Sequence, residues 1–435
     1  MNIKENIINI LCTEVKPAIG CTEPVAIALC AAASKSALKS NIERIDTITV
    51  KLSQNIYKNG MNVGIPNIDE IGLDVAAALG VAKGSIEKKL EILGSITEDE
   101  KNIAKTLLND KKVIIELYEN APKRVYVECI IKSGNDIAKA IIEDKHDNII
   151  DISLNEKSVY NKNNNTKNNS ISVDKDFFDL KIIDIVNEIE AMNYNDLSPM
   201  LDGIKMNMKV AQMGLKEKNG IGVGYGMNKS LENGEISKDL PNLAFILTAA
   251  ASDVRMSGVP QAVMSSNGSG NHGLTAILPI AAYNELIPQS DEKLVKAVAI
   301  SHVVTAYIKH YVGRLAPLCG CSIAAATGSA CGLVWLLGGK ENELQGTIKN
   351  ILANQSGVVC DGAKPGCALK LGTAASSAVQ AVMLAMKGIY ADENNGIVTG
   401  TAEQSIKNLG NLGNKGMNNV DKAIIDIMVN AQACD

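Results

Sequence analysis

The sequence is poor in aromatic residues: Phe, Trp and Tyr make up only 3% of its 435 residues, and tryptophan occurs once. Since 46% of the residues are nevertheless hydrophobic, the core has to consist mainly of Ala, Val, Ile, Leu and Met. Together with 36 glycines, this composition predicts helices with small side chains that pack closely. The length predicts two or three domains, or one large domain that carries an insertion.

The sequence also lacks an excess of basic residues and any long apolar run. Its formal net charge of −5 at pH 7 argues against nucleic acid as the main partner, since binding to phosphates needs a basic surface. The richest apolar windows, "PVAIALCAAAS" and "LAFILTAAAS", are shorter than the roughly 18 to 20 residues that span a bilayer. We therefore expect a cytoplasmic protein that binds neither nucleic acid nor membrane.

The pattern of apolar residues predicts an α+β fold. Helical periodicity marks the start of the chain, with a second helix from Pro24 to Ser40, whereas "DTITVKLS", "KVIIELYE", "RVYVECIIKS" and "IAKAIIEDK" read as strands. We predict a large, mainly helical catalytic domain formed by residues 1–42 and 174–435, and a smaller inserted α/β domain at 43–155. Residues 156–173 are rich in Asn and Lys and are predicted to be a polar linker or loop.

Ten cysteines are not expected to form disulfides in a cytoplasmic protein. Four of them lie in apolar helical or strand-like patterns, where a free thiol serves as a small buried hydrophobic group. The predicted core cysteines are Cys12, Cys30, Cys129 and Cys331.

Two other cysteine motifs are the most specific features of the sequence. "PLCGCS" contains Cys319 and Cys321, and "CDGAKPGC" runs from Cys360 to Cys367. Both are glycine-containing turns predicted to begin an apolar helix, and a helix N-terminus lowers the pKa of a thiol. Thiolates suit soft metal centres, but the spacing fits neither a zinc ribbon nor a ferredoxin. We predict a metal site held by three cysteines, with an iron–sulfur cluster as the favoured occupant.

Two polar segments are candidates for binding a small carboxylate. In "SSNGSGNHGLTAILP" a glycine-rich loop precedes an apolar helix, so that free N–H groups and the amides of Asn267 and Asn271 can act as donors. For His272 a capping or packing role and a functional role both remain open. "IYKNGM" is interpreted as a further polar turn that contains Asn59 and Gly60. "NGIGVGYG" lacks the strand and the Lys-Ser/Thr of a phosphate-binding loop, so nucleotide binding is not favoured.

Taken together, these motifs resemble the L-cysteine desulfidase family, whose members are relatives of the iron–sulfur L-serine dehydratases. The segments that carry the resemblance are "GCTEPVAIALCAA", "IYKNGMNVGIP", "SSNGSGNHG", "APLCGCSIAAATGSACG" and "CDGAKPGCALK". The resemblance covers nearly the whole chain. It implies the conversion of L-cysteine to pyruvate, ammonia and hydrosulfide.

The resemblance also implies a [4Fe-4S] cluster bound by Cys321, Cys360 and Cys367, with one iron not bound by the protein. Cys319 matches the motif as well, but Cys321 corresponds better to the first ligand of the serine dehydratases. An open iron acts as a Lewis acid instead of an electron carrier. Some serine dehydratases place a C-terminal cysteine on that iron, a role that would fall to Cys434 here.

In the serine dehydratases a turn similar to Ser-His-Thr-x-Gly-Pro supplies a histidine thought to be the base. The corresponding turn here reads Gly-Cys-Thr-Glu-Pro, so the resemblance implies that Cys21 removes the Cα proton. We expect the start of the following helix to lower the pKa of this thiol. The residues predicted to bind the substrate are Thr22, Asn59, Asn267, Gly268, Asn271 and His272.

Other functions remain open from the sequence. An L-serine dehydratase with the same cluster differs only in the base, and a non-catalytic iron–sulfur sensor would have a full set of ligands and a surface for a partner. A pyridoxal-phosphate lyase is disfavoured because no lysine lies in a convincing setting for a Schiff base. The small-residue helices are compatible with a homodimer, and L-cysteine is the predicted small-molecule partner.

Overall fold

The computed structural model of the chain describes residues 2–39, 41–68, 70–162 and 173–432. The helices in these ranges are α1 (Ile3–Glu14), α2 (Thr22–Ala37), α3 (Gln54–Gly60), α4 (Leu73–Lys83), α5 (Glu98–Asn109), α6 (Ile182–Ala191), α7 (Tyr194–Leu197), α8 (Met200–Lys216), α9 (Val223–Glu232), α10 (Leu240–Met256), α11 (Gly270–Leu286), α12 (Asp291–Val312), α13 (Ala326–Leu336), α14 (Glu341–Gln355), α15 (Cys367–Ala385), α16 (Ala402–Asn411) and α17 (Val420–Gln432). The strands are β1 (Pro17–Ala18), β2 (Thr47–Leu52), β3 (Val113–Leu117), β4 (Tyr126–Ser133), β5 (Asp136–Glu143), β6 (Ile149–Leu154), β7 (Lys157–Asn161) and β8 (Val263–Met264).

The larger sheet has the strand order β3-β2-β4-β5-β6-β7. Strands β2 and β3 are parallel, whereas the other neighbours are antiparallel. Side chains along β2 alternate between buried and half-buried positions, as expected for a sheet with one face in the core. Helix α2 covers that face and is itself covered by α4. Gly80 permits this close stacking, because a Cβ there would lie 2.2 Å from the carbonyl oxygen of Ala28.

The remaining helices pack around α10 and α11, which are buried along most of their length. Their side chains are short, so that neighbouring backbones approach closely. A Cβ on Gly214 of α8, for example, would lie 2.2 Å from the carbonyl oxygen of Ala250. Two large hydrophobic cores form among the described residues, one in the helical part and one between the sheet, α2 and α4. The predicted α+β fold with a mainly helical part is confirmed.

The domain boundaries stay a prediction, although several elements differ from the expected ones. Helix α2 lies in the range 1–42 that was assigned to the helical domain, yet its side chains belong to the core of the sheet. Strand β7 falls within the predicted linker, of which residues 163–172 lie outside the described residues. The polar turn predicted in "IYKNGM" is wrong, because this segment forms α3.

The predicted burial of four cysteines is confirmed for Cys30, Cys129 and Cys331 but is wrong for Cys12, which is exposed on α1. The helical period brings Ile7, Ile10 and Leu11 to the buried face of α1 and turns Cys12 outward.

Helix α15 is long and apolar enough to cross a membrane by length and composition, but 56% of it is buried inside the fold. It packs as a core helix against α10, α13 and α14.

Candidate active site

A two-stranded ribbon brings the first polar turn beside the glycine-rich loop before α11. Strand β1 pairs antiparallel with β8, and two backbone hydrogen bonds extend this pairing. The N–H of Ser265 donates to the carbonyl of Lys16 over 2.8 Å, and the N–H of Asn267 donates to the carbonyl of Glu14 over 3.0 Å. As a result, the turn at residues 20–24 and the loop at 265–271 face each other across more than 240 residues of sequence.

The two cysteine motifs are joined by an antiparallel bridge. The N–H of Cys319 donates to the carbonyl of Val358 over 2.8 Å, and the N–H of Cys360 donates to the carbonyl of Pro317 over 2.6 Å. These two hydrogen bonds fix the motifs side by side although they are about 40 residues apart in the sequence.

Both motifs begin a helix, as predicted. Cys321 starts a π-helical turn that leads directly into α13, and Cys367 is the first residue of α15. In the second motif the N–H of Lys364 points at the sulfur of Cys367, 3.4 Å away. The loop between Cys360 and Cys367 packs closely on α3. A Cβ on Gly362 in this loop would lie 2.6 Å from the carbonyl oxygen of Lys58.

One cavity collects nearly all the residues that the sequence singled out. Four cysteines line it together with the candidate donors for a carboxylate. The predicted residues on its wall are Thr22, Asn59, Asn267, Gly268, Asn271, His272, Cys321, Cys360 and Cys367, joined by Cys319. They come from five segments of the chain, which the fold alone brings together.

Cys21 is the one described site residue that lies behind this wall. It is the N-cap of α2 and is 2% exposed. Its neighbours include Val63 and Met256, and it packs against Ala363 and Cys367, which do line the cavity. Cys434 lies outside the described residues.

The expected lowering of thiol pKa values by helix N-termini is wrong for most of these cysteines. Burial raises the pKa of Cys21 and of Cys360, and it raises the pKa of Cys367 to about 12. Cys321 donates a hydrogen bond to Cys319, which raises the pKa of Cys321 and lowers that of Cys319 to about 6. Desolvation therefore outweighs the helix dipole at the other three thiols.

Three cations on the cavity wall were missed from the sequence. Arg255 donates to the side-chain oxygen of Asn271 over 2.9 Å and to the carbonyl of Gly20 over 2.8 Å. Arg314 and Lys309 lie further along the same wall, and burial lowers the pKa of Lys309 to about 8. A signal existed for Lys309, because this lysine interrupts the apolar helical stretch "AVAISHVVTAYIK".

A buried carboxylate also belongs to the site. Glu23 accepts a hydrogen bond from the amide of Asn59 over 3.0 Å, and one from the hydroxyl of Thr22 over 3.1 Å. The ring of His146 lies 3.7 Å away. Burial by itself would raise the pKa of Glu23, but His146 and Asn59 lower it to about 2. His272 lines the same cavity as a neutral ring, because burial holds its pKa well below the usual value.

The donor set fits an iron–sulfur cluster better than a single metal ion. In the described part of the chain, no group of three or more His, Cys, Asp or Glu side chains is arranged to hold one ion. An iron–sulfur cluster needs a different arrangement of ligands. Each thiolate binds a separate iron, so the thiols have to be spread around a cavity that can hold the cluster. Four thiols line one cavity here, close enough to perturb one another's pKa values.

The comparisons with known proteins show which family the chain belongs to. The family model of the serine dehydratase alpha chain matches residues 87–426. A UPF0597 protein of Clostridioides difficile (strain 630) is 46% identical over 422 residues, which cover 95% of this chain and 97% of the relative. A UPF0597 protein of Alkaliphilus oremlandii (strain OhILAs) is 44% identical over 428 residues, with 98% and 99% covered. The chain therefore belongs to the serine dehydratase alpha chain family.

Proposed function

We propose that this protein is an L-cysteine desulfidase, a lyase that eliminates hydrosulfide from L-cysteine without a net redox change. The products are pyruvate, ammonia and sulfide. The observation that supports this proposal most directly is the single cavity in which four thiols face a loop of amide and backbone donors. Membership of the serine dehydratase alpha chain family supports the reaction class.

We further propose that Cys321, Cys360 and Cys367 hold a [4Fe-4S] cluster and that Cys319 is not a ligand. When bound, such a cluster with one iron free of protein thiolate supplies a Lewis-acid position for the substrate sulfur. The free thiols of the described chain suit a reducing cytoplasm, which is the compartment we propose for the enzyme.

The polar side of the cavity would bind and orient the amino acid. Asn267 has a left-handed backbone, with φ of 51°, and this turn exposes its loop to the cavity just before α11 begins. The N-terminus of α11 favours a carboxylate. Thr22, Asn59, Gly268, Asn271 and His272 complete the proposed binding residues.

Cys21 is proposed to act as the base. Arg255 and Lys364 lie near its sulfur and favour the thiolate, although burial opposes it. The thiolate would take the Cα proton while the bond between Cβ and sulfur breaks, so that hydrosulfide and aminoacrylate are formed. Aminoacrylate then hydrolyses to pyruvate and ammonia. Because Cys21 lies behind Ala363 and Cys367, its side chain has to turn toward the cavity when the substrate binds.

The test is an anaerobic reconstitution followed by three measurements on one sample: bound iron and acid-labile sulfide, hydrosulfide released from L-cysteine, and pyruvate formed from L-cysteine and from L-serine. We expect a four-iron cluster and turnover of L-cysteine. The family match favours one second candidate, an L-serine dehydratase. Pyruvate formed from L-serine at a higher kcat/KM than from L-cysteine would establish that candidate instead.

A further inference from the structure

Lys309 is an ionisable group that the proposed reaction has not used. It lies on α12, is 7% exposed, and lines the cavity with the cysteines. A Cβ on Gly320 would lie 3.3 Å from its Nζ, so the ammonium group stands against the turn between Cys319 and Cys321. A buried ammonium group is costly unless an anion or hydrogen-bond acceptors accompany it.

Among the residues that the structure describes, the other two cations of the cavity have partners, whereas Lys309 does not. Arg255 is held by Asn271 and by the carbonyl of Gly20, and Arg314 pairs with Glu14 over 2.7 Å. Within the described residues no hydrogen bond or ion pair is made by the Nζ of Lys309. Its three donors are therefore available to something that enters the cavity.

Lys309 also stands at the junction of two cavities. A second, outer cavity shares Asn267, Lys309 and Arg314 with the inner one. Two further charged residues line the outer cavity, Glu14 and Lys145, which pair with each other over 2.7 Å. Three cations thus face one carboxylate along this route, which favours the passage of an anionic group.

We propose that Lys309 binds the carboxylate of the amino acid substrate where the outer cavity meets the inner one, with Asn267 beside it. This inference rests on the proposed function for the identity of the substrate. In this arrangement Lys309 supplies the positive charge that attracts the carboxylate, and the neutral donors of the loop at 265–271 orient the carboxylate. A carboxylate bound by an ammonium group gains a charge-assisted hydrogen bond, which a neutral analogue cannot make.

The test compares two thiols of similar size, 3-mercaptopropionate and 3-mercapto-1-propanol, by anaerobic calorimetric titration of the reconstituted protein. We expect the wild type to prefer the carboxylate about tenfold or more. Lys309→Met should abolish this preference by weakening only 3-mercaptopropionate. It should raise KM for L-cysteine about tenfold with kcat changed much less, whereas Lys309→Arg should keep the preference.

Lys296→Met is the matched control, because Lys296 lies on the same helix, is also largely buried, and pairs with the exposed Glu292 over 2.9 Å. It should leave both thiols and KM unchanged. The melting temperature should not fall in Lys309→Met, since methionine removes an unpaired buried charge.

An unchanged preference in Lys309→Met would overturn the inference, and so would a loss of iron, which would make Lys309 a countercharge of the cluster. If the wild type binds the carboxylate through Lys309 yet releases no hydrosulfide from L-cysteine, the proposed function fails and the inference stands.

Discussion

Cys21 shows how two local effects compete at a single residue. As the N-cap of α2 it lies where the helix dipole favours a thiolate, and Arg255 and Lys364 act in the same direction. Burial opposes all three and prevails, so the pKa of the thiol is raised. A base with a raised pKa gains activity as the pH rises, because the deprotonated fraction grows.

We therefore expect Cys21→Ser to lower kcat by a factor on the order of 100 or more, the usual contribution of a general base. Iron content and cluster absorbance should stay at the wild-type level, since Cys21 is not a proposed ligand. In the wild type, kcat at saturating L-cysteine should rise from about pH 7 to pH 9. The measurement is a cysteine-dependent sulfide assay across this range on samples of known iron content.

Cys12→Ser is the control for this experiment, because Cys12 is exposed on α1 and lines neither the inner nor the outer cavity. It should behave as the wild type. A Cys21→Ser protein that keeps more than about a fifth of the wild-type kcat would show that another group takes the proton.

At the scale of elements, glycine-rich loops take on different tasks according to what faces them. The segment "NGIGVGYG" leads into the first turn of α9 and donates N–H groups to a side chain of the same fold. Asp253 accepts from Gly222 over 3.2 Å and from Gly224 over 2.9 Å. The backbone donors that a phosphate would need are thus directed at an internal carboxylate, which agrees with the interpretation from the sequence.

The loop from Cys360 to Cys367 depends on a glycine at one position and not at another. Gly362 has φ of +95°, and a Cβ there would lie 2.6 Å from the carbonyl oxygen of Lys58. We expect Gly362→Ala to push the loop away from α3, at a cost of about 1–3 kcal/mol for the strained backbone. The reconstituted protein should contain much less iron, and unfolding in urea should occur at a lower concentration.

Gly366→Ala in the same loop is the matched control, because no atom lies within 4 Å of a Cβ built on Gly366. Its iron content should equal that of the wild type. Equal iron in both variants would mean that the contact of the loop with α3 does not position Cys360 and Cys367.

At the scale of the whole molecule, the site lies where the two hydrophobic cores meet. Helix α3 belongs to the core of the sheet, and its Lys58 reaches across to the helical part. The ammonium group donates to the carbonyl of Cys360 over 2.6 Å and to Asp421 of α17 over 2.5 Å. Its side chain is only 1% exposed. The hydrogen bond to Cys360 therefore joins the two parts of the chain, and Asp421 supplies the countercharge for the buried ammonium group.

Asp421→Asn should therefore destabilise the protein by about 3 kcal/mol, because it leaves the buried charge of Lys58 without its ionic partner. Loss of this anchor should also reduce the iron retained by the motif that contains Cys360. Chemical denaturation and iron analysis of the same preparation provide the two readouts.

The neighbouring surface pair supplies the comparison for this prediction. Lys422 lies 3.9 Å from Glu119, and both side chains are more than half exposed. Surface pairs of this kind contribute little to stability, so Lys422→Gln should unfold like the wild type. Equal stability of Asp421→Asn and Lys422→Gln would contradict the role of Lys58 as a link between the two cores.

The sequence by itself determined the features that depend on neighbouring residues: the alternation of β2, the helix starts at Cys321 and Cys367, and the glycine turns that carry the thiols. Only the tertiary structure decided which groups share the cavity, because burial and distance depend on residues hundreds of positions apart. It set Cys21 behind the wall and brought Arg255 and Lys309 onto it. It also raised the pKa values that the local pattern alone would have lowered, since a helix N-terminus is visible in a sequence and the loss of water around a thiol is not.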